Sequence, residues 1–328
     1  VRIYAGDQLI YQYSDSNFHR NDQMKSKLSC DARIPEQGKK GTVIKIIYQN
    51  GSNGIYDLDD ILVGRGDVVM GFHVQQEIVG IVMIAIMFFL SFVALTTGIY
   101  LKHFKLNSTR FLNIAAFLAL SGIWFLSDSA LAQEYTSFPA LTGMISFYAF
   151  MLMSVPMLHF IQNTVSKENQ WIPEIWILLF YGNAIGQGIV NIWFAVPFKN
   201  MLFVTHLILF TGVAVMAILL WREYQKHQTQ ELELCLKAFG VLGISGVIAL
   251  ALYWMYAIYW YDALFQFGIL LFISFLFWGL LCKVSNDIQY RMEQAVYERM
   301  SIEDRMTGMK NRKAFEQQLD QLQQDVML

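Results

Sequence analysis

Charged residues are scarce in this chain. Of its 328 residues 15% are charged, while 55% are hydrophobic and the mean hydropathy is +0.38. A soluble domain carries roughly 25% charged residues. The composition therefore excludes an ordinary soluble globular domain, and the small net charge of -2 says little about partners.

Cysteines are few, and no leader segment is visible. Cys30, Cys235 and Cys282 form no CxxC pair and no metal-binding spacing, and the last two lie at or near predicted membrane boundaries. Neither a disulfide framework nor a metal site is therefore expected. The chain begins with Val1, and no signal peptide precedes its apolar region. We interpret it as a fragment that is open at both ends.

Long apolar runs are what the chain has in abundance. Ile78 to Tyr100 contains 23 residues without a charge, which is enough to cross the hydrocarbon core of a bilayer. Similar runs follow at about 111–127, 138–161, 175–195, 201–221, 238–261 and 263–282. Pro156 predicts a kink in the third run, and Pro173 predicts a helix start before the fourth. The sequence therefore predicts seven transmembrane helices.

Basic residues are concentrated on one side of this predicted topology. With residues 1–77 outside, the outer loops between the helices carry Lys199 alone. The inner loops carry Lys102, Lys105, Arg110, Lys167, Arg222, Lys226, Lys237 and, at the last exit, Lys283. Because loops rich in Lys and Arg stay in the cytoplasm, we expect the N-terminus outside and the C-terminus inside.

Residues 1–77 carry strand patterns. The runs "VRIY" and "LIYQY" flank Ala5-Gly6-Asp7-Gln8 and predict a hairpin. "TVIKIIYQ" predicts a third strand, which ends in the turn cluster at 50–54, and "ILVGRGDVV" predicts a short fourth one. The pattern indicates an antiparallel sheet or part of a sandwich. Four strands leave two exposed edges, so part of the sheet is expected to lie upstream.

Polar side chains interrupt the fourth apolar run. Asn183, Gln187 and Asn191 are four residues apart and therefore lie on one face of a helix. Polar residues inside a membrane either line a ligand pocket or form hydrogen bonds between helices. Gly182 and Gly186 beside them are typical of close helix packing, which favours the second interpretation.

The segment after Lys283 is polar and predicted to be helical. It contains neither Gly nor Pro up to residue 303, so the last membrane helix is expected to continue into the cytoplasm. Val284, Ile288, Met292 and Val296 form an apolar stripe in steps of four. The segment is either a solvated connecting helix or a helix whose stripe joins two copies of the chain. A coiled-coil seam needs several heptads, and this segment is too short to show them.

The last residues indicate the start of a soluble domain. Thr307-Gly308 predicts a turn, and Asn311 is a good N-cap for a helix that begins at Arg312. Its apolar face would carry Phe315, Leu319, Leu322 and Val326. Because the other faces are rich in Gln and Asp, this face requires a soluble core that the chain does not contain.

These residues carry a family resemblance. The opening signature of the GGDEF domain, the catalytic module of diguanylate cyclases, is usually D-x-L-T-G-L-x-N-R-x-x-F. The chain resembles it in the run Asp304-x-Met306-Thr307-Gly308-Met309-x-Asn311-Arg312-x-Ala314-Phe315. Met replaces Leu at 306 and 309, which conserves volume. The resemblance covers residues 304–328 only.

The layout of the chain resembles bacterial seven-transmembrane receptors with diverse intracellular signalling modules. It implies a mostly α membrane protein of the bacterial inner membrane. A seven-helix bundle (78–283) would follow part of an extracytoplasmic, jelly-roll-like β-sandwich (1–77). A cytoplasmic linker helix (284–303) would then lead to the first helix of an α/β GGDEF domain (304–328).

The resemblance implies a reaction that this chain cannot complete. Diguanylate cyclases join two GTP molecules into cyclic di-GMP, with divalent metal ions neutralising the developing charge. The GG(D/E)EF turn, the metal-binding Asp and the base-binding Asn would all lie beyond Leu328. The chain is therefore expected to be inactive and without a cofactor, while Mg²⁺ with GTP is implied for the full-length parent.

The resemblance also implies partners. These are the lipid bilayer, a second copy joined through the linker helix and the cyclase domain, and an extracytoplasmic ligand that is carbohydrate-like. No nucleic acid is implied. A signal at the outer sheet or the helix bundle would change the pairing of the helix at 284–303 and so regulate the cyclase.

Three other functions compete with the regulated cyclase. A degenerate GGDEF module would serve only for binding or dimerisation. The presence or absence of the GG(D/E)EF turn downstream would distinguish it from an active cyclase. A transporter with a cytoplasmic tail predicts inverted repeats and broken helices, and no convincing internal repeat is visible. A sensor kinase needs a phosphoacceptor His after the linker, and residues 284–328 contain none.

The predicted topology can be tested with reporter fusions. A reporter placed after Gln133 is expected outside, and one placed after Leu328 inside, because the basic loops alternate in that way. Alkaline phosphatase and green fluorescent protein activities at both positions are the measurement. A cytoplasmic signal from the Gln133 fusion would contradict the seven-helix topology.

Overall fold

The helices occupy most of the chain. The computed structural model describes residues 2–12, 32–34, 41–47, 61–106, 108–129, 132, 139–194, 196–255, 261–302 and 315. Within these ranges the chain is mostly helical. It divides into two compact units, Val1–Leu219 and Leu220–Leu328.

A small antiparallel sheet lies at the N-terminus. Its strands are β1 (Arg2–Ala5), β2 (Gln8–Gln12) and β3 (Ile44–Ile47), in the order β2-β1-β3. Gly6 has a positive φ of 62°, which glycine adopts at little cost and which the tight β1–β2 turn uses. The predicted hairpin and third strand are therefore confirmed. The predicted turn cluster at 50–54 lies outside the described residues.

The predicted fourth strand is wrong. Residues 61–65 form no strand, and helix α1 (Gly66–His103) begins inside the run that predicted one. Arg65, in extended conformation before the helix, pairs with Asp67 at 3.0 Å. An acidic residue in the first turn also complements the positive end of the helix dipole. The predicted domain boundary at residue 77 thus falls within α1.

The remaining helices follow in close succession, and they are α2 (Thr109–Asp128), α3 (Pro139–Leu152), α4 (Ser154–Gln162), α5 (Trp171–Phe194), α6 (Phe198–His227), α7 (Gln230–Trp254) and α8 (Tyr261–Ile302). A short 3-10 turn, Lys167–Asn169, precedes α5. Helix α7 begins earlier than the apolar run at 238 predicts. Thr229 caps this earlier start, because its Oγ1 accepts a hydrogen bond from the Leu232 N–H at 3.3 Å. The exposed ion pair of Glu233 with Lys237, at 2.6 Å, adds a smaller contribution.

Seven helical stretches of the described residues are long and apolar enough to cross a membrane. They are Glu77–His103, Thr109–Asp128, Leu141–Gln162, Lys167–Phe194, Asn200–His227, Leu232–Leu252 and Leu264–Gln294. The predicted number of spans is therefore confirmed. The third is broken at Met153 between α3 and α4. Pro156 causes the break, because it lacks the N–H that would bond to Leu152 and its ring crowds that carbonyl.

The first unit is built around α2. Helix α1 packs on α2, α2 also packs on α3 and α4, and α5 packs on α3 and α4. Gly122 allows α1 to approach closely, since a Cβ there would lie 3.1 Å from the ring of Phe88. The buried Ser91 hydroxyl donates to the carbonyl oxygen of Ala115 at 2.8 Å. Small residues therefore bring these two helices together.

The second unit contains the α7–α8 hairpin, whose helices pack extensively on each other. Phe239 and Phe272 meet edge to face with centroids 5.1 Å apart. Gly268 lies directly against Ser245, and a Cβ added to it would overlap the Oγ and Cβ of that serine. The hairpin therefore depends on a glycine at this crossing.

Helix α8 is continuous over 42 residues, from Tyr261 to Ile302. At 1.5 Å per residue it is roughly 63 Å long, about twice the hydrocarbon thickness of a bilayer. The prediction that the last membrane helix runs on without interruption is confirmed.

Substitution of the crossing glycine should destabilise the second unit. We expect Gly268→Ala to lower the free energy of unfolding by about 1–3 kcal/mol, because the added methyl group overlaps Ser245 at its Cβ and cannot be relieved by a rotamer change. Thermal unfolding of the purified protein in detergent measures the effect.

Gly240→Ala is the matched control for this substitution. Gly240 lies in the same hairpin, and a Cβ there would meet no atom within 4 Å. Alanine should therefore be neutral or stabilise by about 0.5–1 kcal/mol through helix propensity. Equal losses at positions 240 and 268 would contradict the close crossing.

Candidate functional site

The polar face of α5 is turned toward the protein interior. Gln187 is 5% exposed and Asn191 is 4% exposed, while Asn183 is half-buried. Ile185 and Ile192 lie on the opposite face and are exposed. The prediction that the three polar side chains share one helix face is confirmed.

Thr205 of α6 joins two of these side chains. Its Oγ1 accepts a hydrogen bond from Asn183 Nδ2 at 3.0 Å and from Gln187 Nε2 at 2.9 Å. Gln187 Nε2 also lies 2.9 Å from Asn183 Oδ1 and 3.3 Å from the carbonyl oxygen of Met201. We call Asn183, Gln187 and Thr205 the amide network. It links α5 to α6 through the Thr205 side chain, with the Met201 carbonyl as a further acceptor.

Sequence reasoning did not identify Thr205. It is 1% exposed, and it lies in an apolar run where a single threonine is unremarkable. The only available signal was indirect, because Asn183 and Gln187 inside a membrane need an acceptor nearby. Nothing in the sequence separates Thr205 from Thr211 as that acceptor.

Asn191 has a different role from the other two polar residues. Its Nδ2 donates to the carbonyl oxygen of Val196 at 2.9 Å. Val196 lies in the short connection between α5 and α6, where backbone carbonyls lack a helical partner. Asn191 therefore stabilises the connection. The amide network lies about 10 Å farther along the helices from the connection.

Apolar and aromatic side chains surround the network. Phe198 packs against Ala184 and Met151 in a buried cluster, with Met201 at its edge. Phe198 also contacts the ring of Tyr148, with centroids 5.5 Å apart. Hydrogen bonds in such a low-dielectric setting are stronger than in water, and an unpaired polar atom costs more.

One acceptor of the network is not satisfied. Gln187 Oε1 is buried, and no described residue donates a hydrogen bond to it. The orientation of the amide is fixed by the three acceptors around Nε2. The carboxamide oxygen must therefore point away from these acceptors, and it is the open position of the network.

The predicted glycine packing is wrong in its details. Among the described residues, a Cβ at Gly182 or Gly186 would meet no atom within 4 Å. The close contact occurs instead at Gly188, where a Cβ would lie 2.5 Å from the hydroxyl oxygen of Tyr148. The reason is helical rotation, since Gly182 is on the exposed face and Gly188 on the buried one.

The membrane histidines make separate contacts. His159 Nδ1 lies 3.2 Å from Gln162 Oε1, and His206 meets Phe150 edge to face at 5.7 Å. Among the described residues, no three His, Cys, Asp or Glu side chains come close enough together to hold a metal ion.

Most residues of the GGDEF-like signature lie outside the part of the chain that the structure describes. Asp304, Thr307, Gly308, Asn311 and Arg312 lie outside the described residues. Phe315 is described, with helical backbone and a side chain that is 64% exposed. Its predicted role as part of an apolar helix face stays a prediction.

Removal of the shared acceptor should weaken the α5–α6 pair. We expect Thr205→Val to lower the free energy of unfolding by about 1–2 kcal/mol, because both amides lose an acceptor. Thr205→Ser keeps the hydroxyl and should restore most of the loss. Unfolding in mixed micelles with increasing SDS measures the difference.

Thr211→Val is the matched control on the same helix. The Thr211 hydroxyl donates to the carbonyl oxygen of Leu207 at 2.6 Å, which belongs to its own helix. Its loss should change the free energy of unfolding by less than about 0.5 kcal/mol. Similar effects of the two valine substitutions would contradict the network.

Comparisons with known proteins add no relative to this picture. No protein-family profile, no curated protein and no solved structure matches the chain.

Proposed function

We propose that the chain is the membrane-spanning part of a bacterial receptor that regulates a C-terminal diguanylate cyclase. The observation that carries the proposal is the continuity of α8, which leads from the span Leu264–Gln294 toward the GGDEF-like run at 304–315 without a break up to Ile302. A receptor needs such a rigid connection between its membrane part and its output.

The proposed orientation places the sheet and the α5–α6 connection outside the cell. The alternation of basic loops supports it, because Lys102, Lys167 and Arg222 would all face the cytoplasm. The bacterial inner membrane follows from the resemblance to the receptor family. A carbohydrate-like ligand at the outer domain is proposed on the same basis.

Regulation would act through the linker part of α8. Cyclase activity requires two GTP-loaded domains that face each other, so the distance and rotation of two linker helices would set the rate. A ligand shifts such an equilibrium only by the difference in its affinity for the two arrangements. Residues of this chain would therefore position the output, and the chemistry itself would belong to residues beyond Leu328.

The apolar stripe of the linker supports pairing of two copies. Ile288 is 44% exposed, Met292 66% and Val296 50%. The apolar stretch Leu264–Gln294 is longer than the roughly 20 residues that cross a bilayer. With the membrane exit at Lys283, as the sequence predicts, the stripe would lie in the cytoplasm, where a contiguous exposed apolar face favours a partner surface. We propose that the stripe packs on the same stripe of a second copy.

Charges on the stripe should separate the two copies. In a variant without native cysteines, Val296→Cys should form a disulfide-linked dimer. Adding Ile288→Asp and Met292→Asp should reduce the crosslinked fraction about tenfold, which corresponds to about 1.4 kcal/mol, because four carboxylates would face each other. Non-reducing gel electrophoresis after mild oxidation gives the measurement.

The control carries the same charges on the opposite helix face. Tyr290 and Gln294 are also four residues apart, and their side chains are hydrogen-bonded to each other at 2.9 Å. Aspartate at both positions should leave the crosslinked fraction unchanged. If the two pairs of substitutions act alike, the stripe is a solvated surface of a connecting helix.

The function itself is tested by extending the chain. The reading frame that continues beyond Leu328, expressed with this chain in membranes, should convert GTP and Mg²⁺ into cyclic di-GMP, detected by mass spectrometry. Alanine in place of the acidic residue of the GG(D/E)EF turn is the control and should abolish the product. An extension that lacks this turn, or binds GTP without turnover, would contradict the proposal and favour a degenerate module.

A further inference from the structure

One buried acceptor of the amide network has no donor among the residues that the structure describes. Gln187 is 5% exposed, and its Oε1 receives no hydrogen bond from any described residue. A buried carbonyl oxygen without a donor is costly in an apolar environment. Most such atoms in folded proteins are satisfied, and a bound water is one explanation for an atom that has no partner in the protein.

The surroundings define the chemistry of the missing donor. Between Ile175 and Phe194, and again between Met201 and Trp221, neither helix carries an Asp, Glu, Lys or Arg residue. An ionic occupant would therefore have no counter-charge on these helices and would pay a large desolvation cost. The occupant must be neutral, and it must offer a hydrogen to a carbonyl oxygen.

The position lies near one end of the α5–α6 pair. Gln187 lies seven residues before Phe194, the end of α5, and Thr205 lies seven residues after Phe198, the start of α6. Both distances correspond to about 10 Å along a helix. The network is therefore buried about two turns from the α5–α6 connection.

We propose that Gln187 Oε1 is a binding site for the O–H group of a small neutral molecule, either one internal water or the hydroxyl of a small ligand. The amide nitrogen of Gln187 is held by Thr205, Asn183 and the Met201 carbonyl, so the oxygen is oriented in advance. The site would exist whether or not the chain regulates a cyclase.

The carbonyl of Gln187 reports directly on the site. The protein is labelled with [5-¹³C]glutamine and placed in lipid bilayers, and the infrared spectrum of Gln187→Met is subtracted from that of the unsubstituted chain. A carbonyl band at the hydrogen-bonded frequency is expected. A band at the frequency of a free amide carbonyl would overturn the proposal. Asn191→Leu, which alters only the bond to Val196, should leave the band in place.

Gln187→Glu provides a second variant if the methionine variant fails to fold. It keeps the size of the side chain and removes the labelled amide band, so the same subtraction can be made. Retention of the monodisperse peak in size-exclusion chromatography shows which of the two variants is usable.

The conditions under which the carbonyl band shifts identify the source of the hydroxyl. With an internal water, thorough drying of the bilayer film moves the band to the free position, and rehydration restores it. With a ligand hydroxyl, drying leaves the band in place, and extensive exchange of lipid and detergent moves it to the free position. A hydrogen-bonded band that neither treatment affects means that the chain itself supplies the donor, and the proposal fails.

Discussion

A polar group that enters hydrocarbon must find its hydrogen-bond partner in the protein or in a molecule that the protein holds, and the pairing of α5 with α6 depends on this constraint. Backbone groups meet it by forming helices. Asn183 and Gln187 meet it by sharing Thr205 Oγ1 across the helix pair. Where the backbone leaves the helix, Asn191 supplies the donor that the Val196 carbonyl would otherwise lack. One requirement therefore fixes both the helix pair and its connection.

The same constraint operates where α2 meets α4. Arg110 donates through Nε and Nη2 to the carbonyl oxygen of Asn163, at 3.2 and 2.7 Å. Asn163 is the residue just past the last turn of α4, where a carbonyl has no helical partner and a positive charge complements the dipole. In the second unit a small residue allows the close contact, because Gly268 lets α8 approach Ser245 of α7.

The sequence predicts elements with strong local signals and fails where distant contacts decide. Uncharged runs of about 20 residues have few alternatives to a membrane helix, so all seven spans were predictable. The β1–β2 hairpin was predictable from its two strand patterns and the glycine turn between them. The run at 61–69 alternates too briefly to distinguish a strand from a helix start, and the ion pair of Arg65 with Asp67 accompanies the helix. Thr205 as the partner of Gln187 was not predictable, since 18 residues separate them. Whether Gly182 or Gly188 lies at a close contact depends on the rotation of α5 about its axis, and packing alone determines that rotation.

A double-mutant cycle between Gln187 and Thr205 tests the network most directly. The free energy of unfolding is measured for the unsubstituted chain, Gln187→Met, Thr205→Val and the double variant under identical micelle conditions. Because the two side chains are 2.9 Å apart, the double loss should be smaller than the sum of the single losses by about 0.5–2 kcal/mol. Losses that add to within about 0.3 kcal/mol would show that the two residues act independently and would contradict the account.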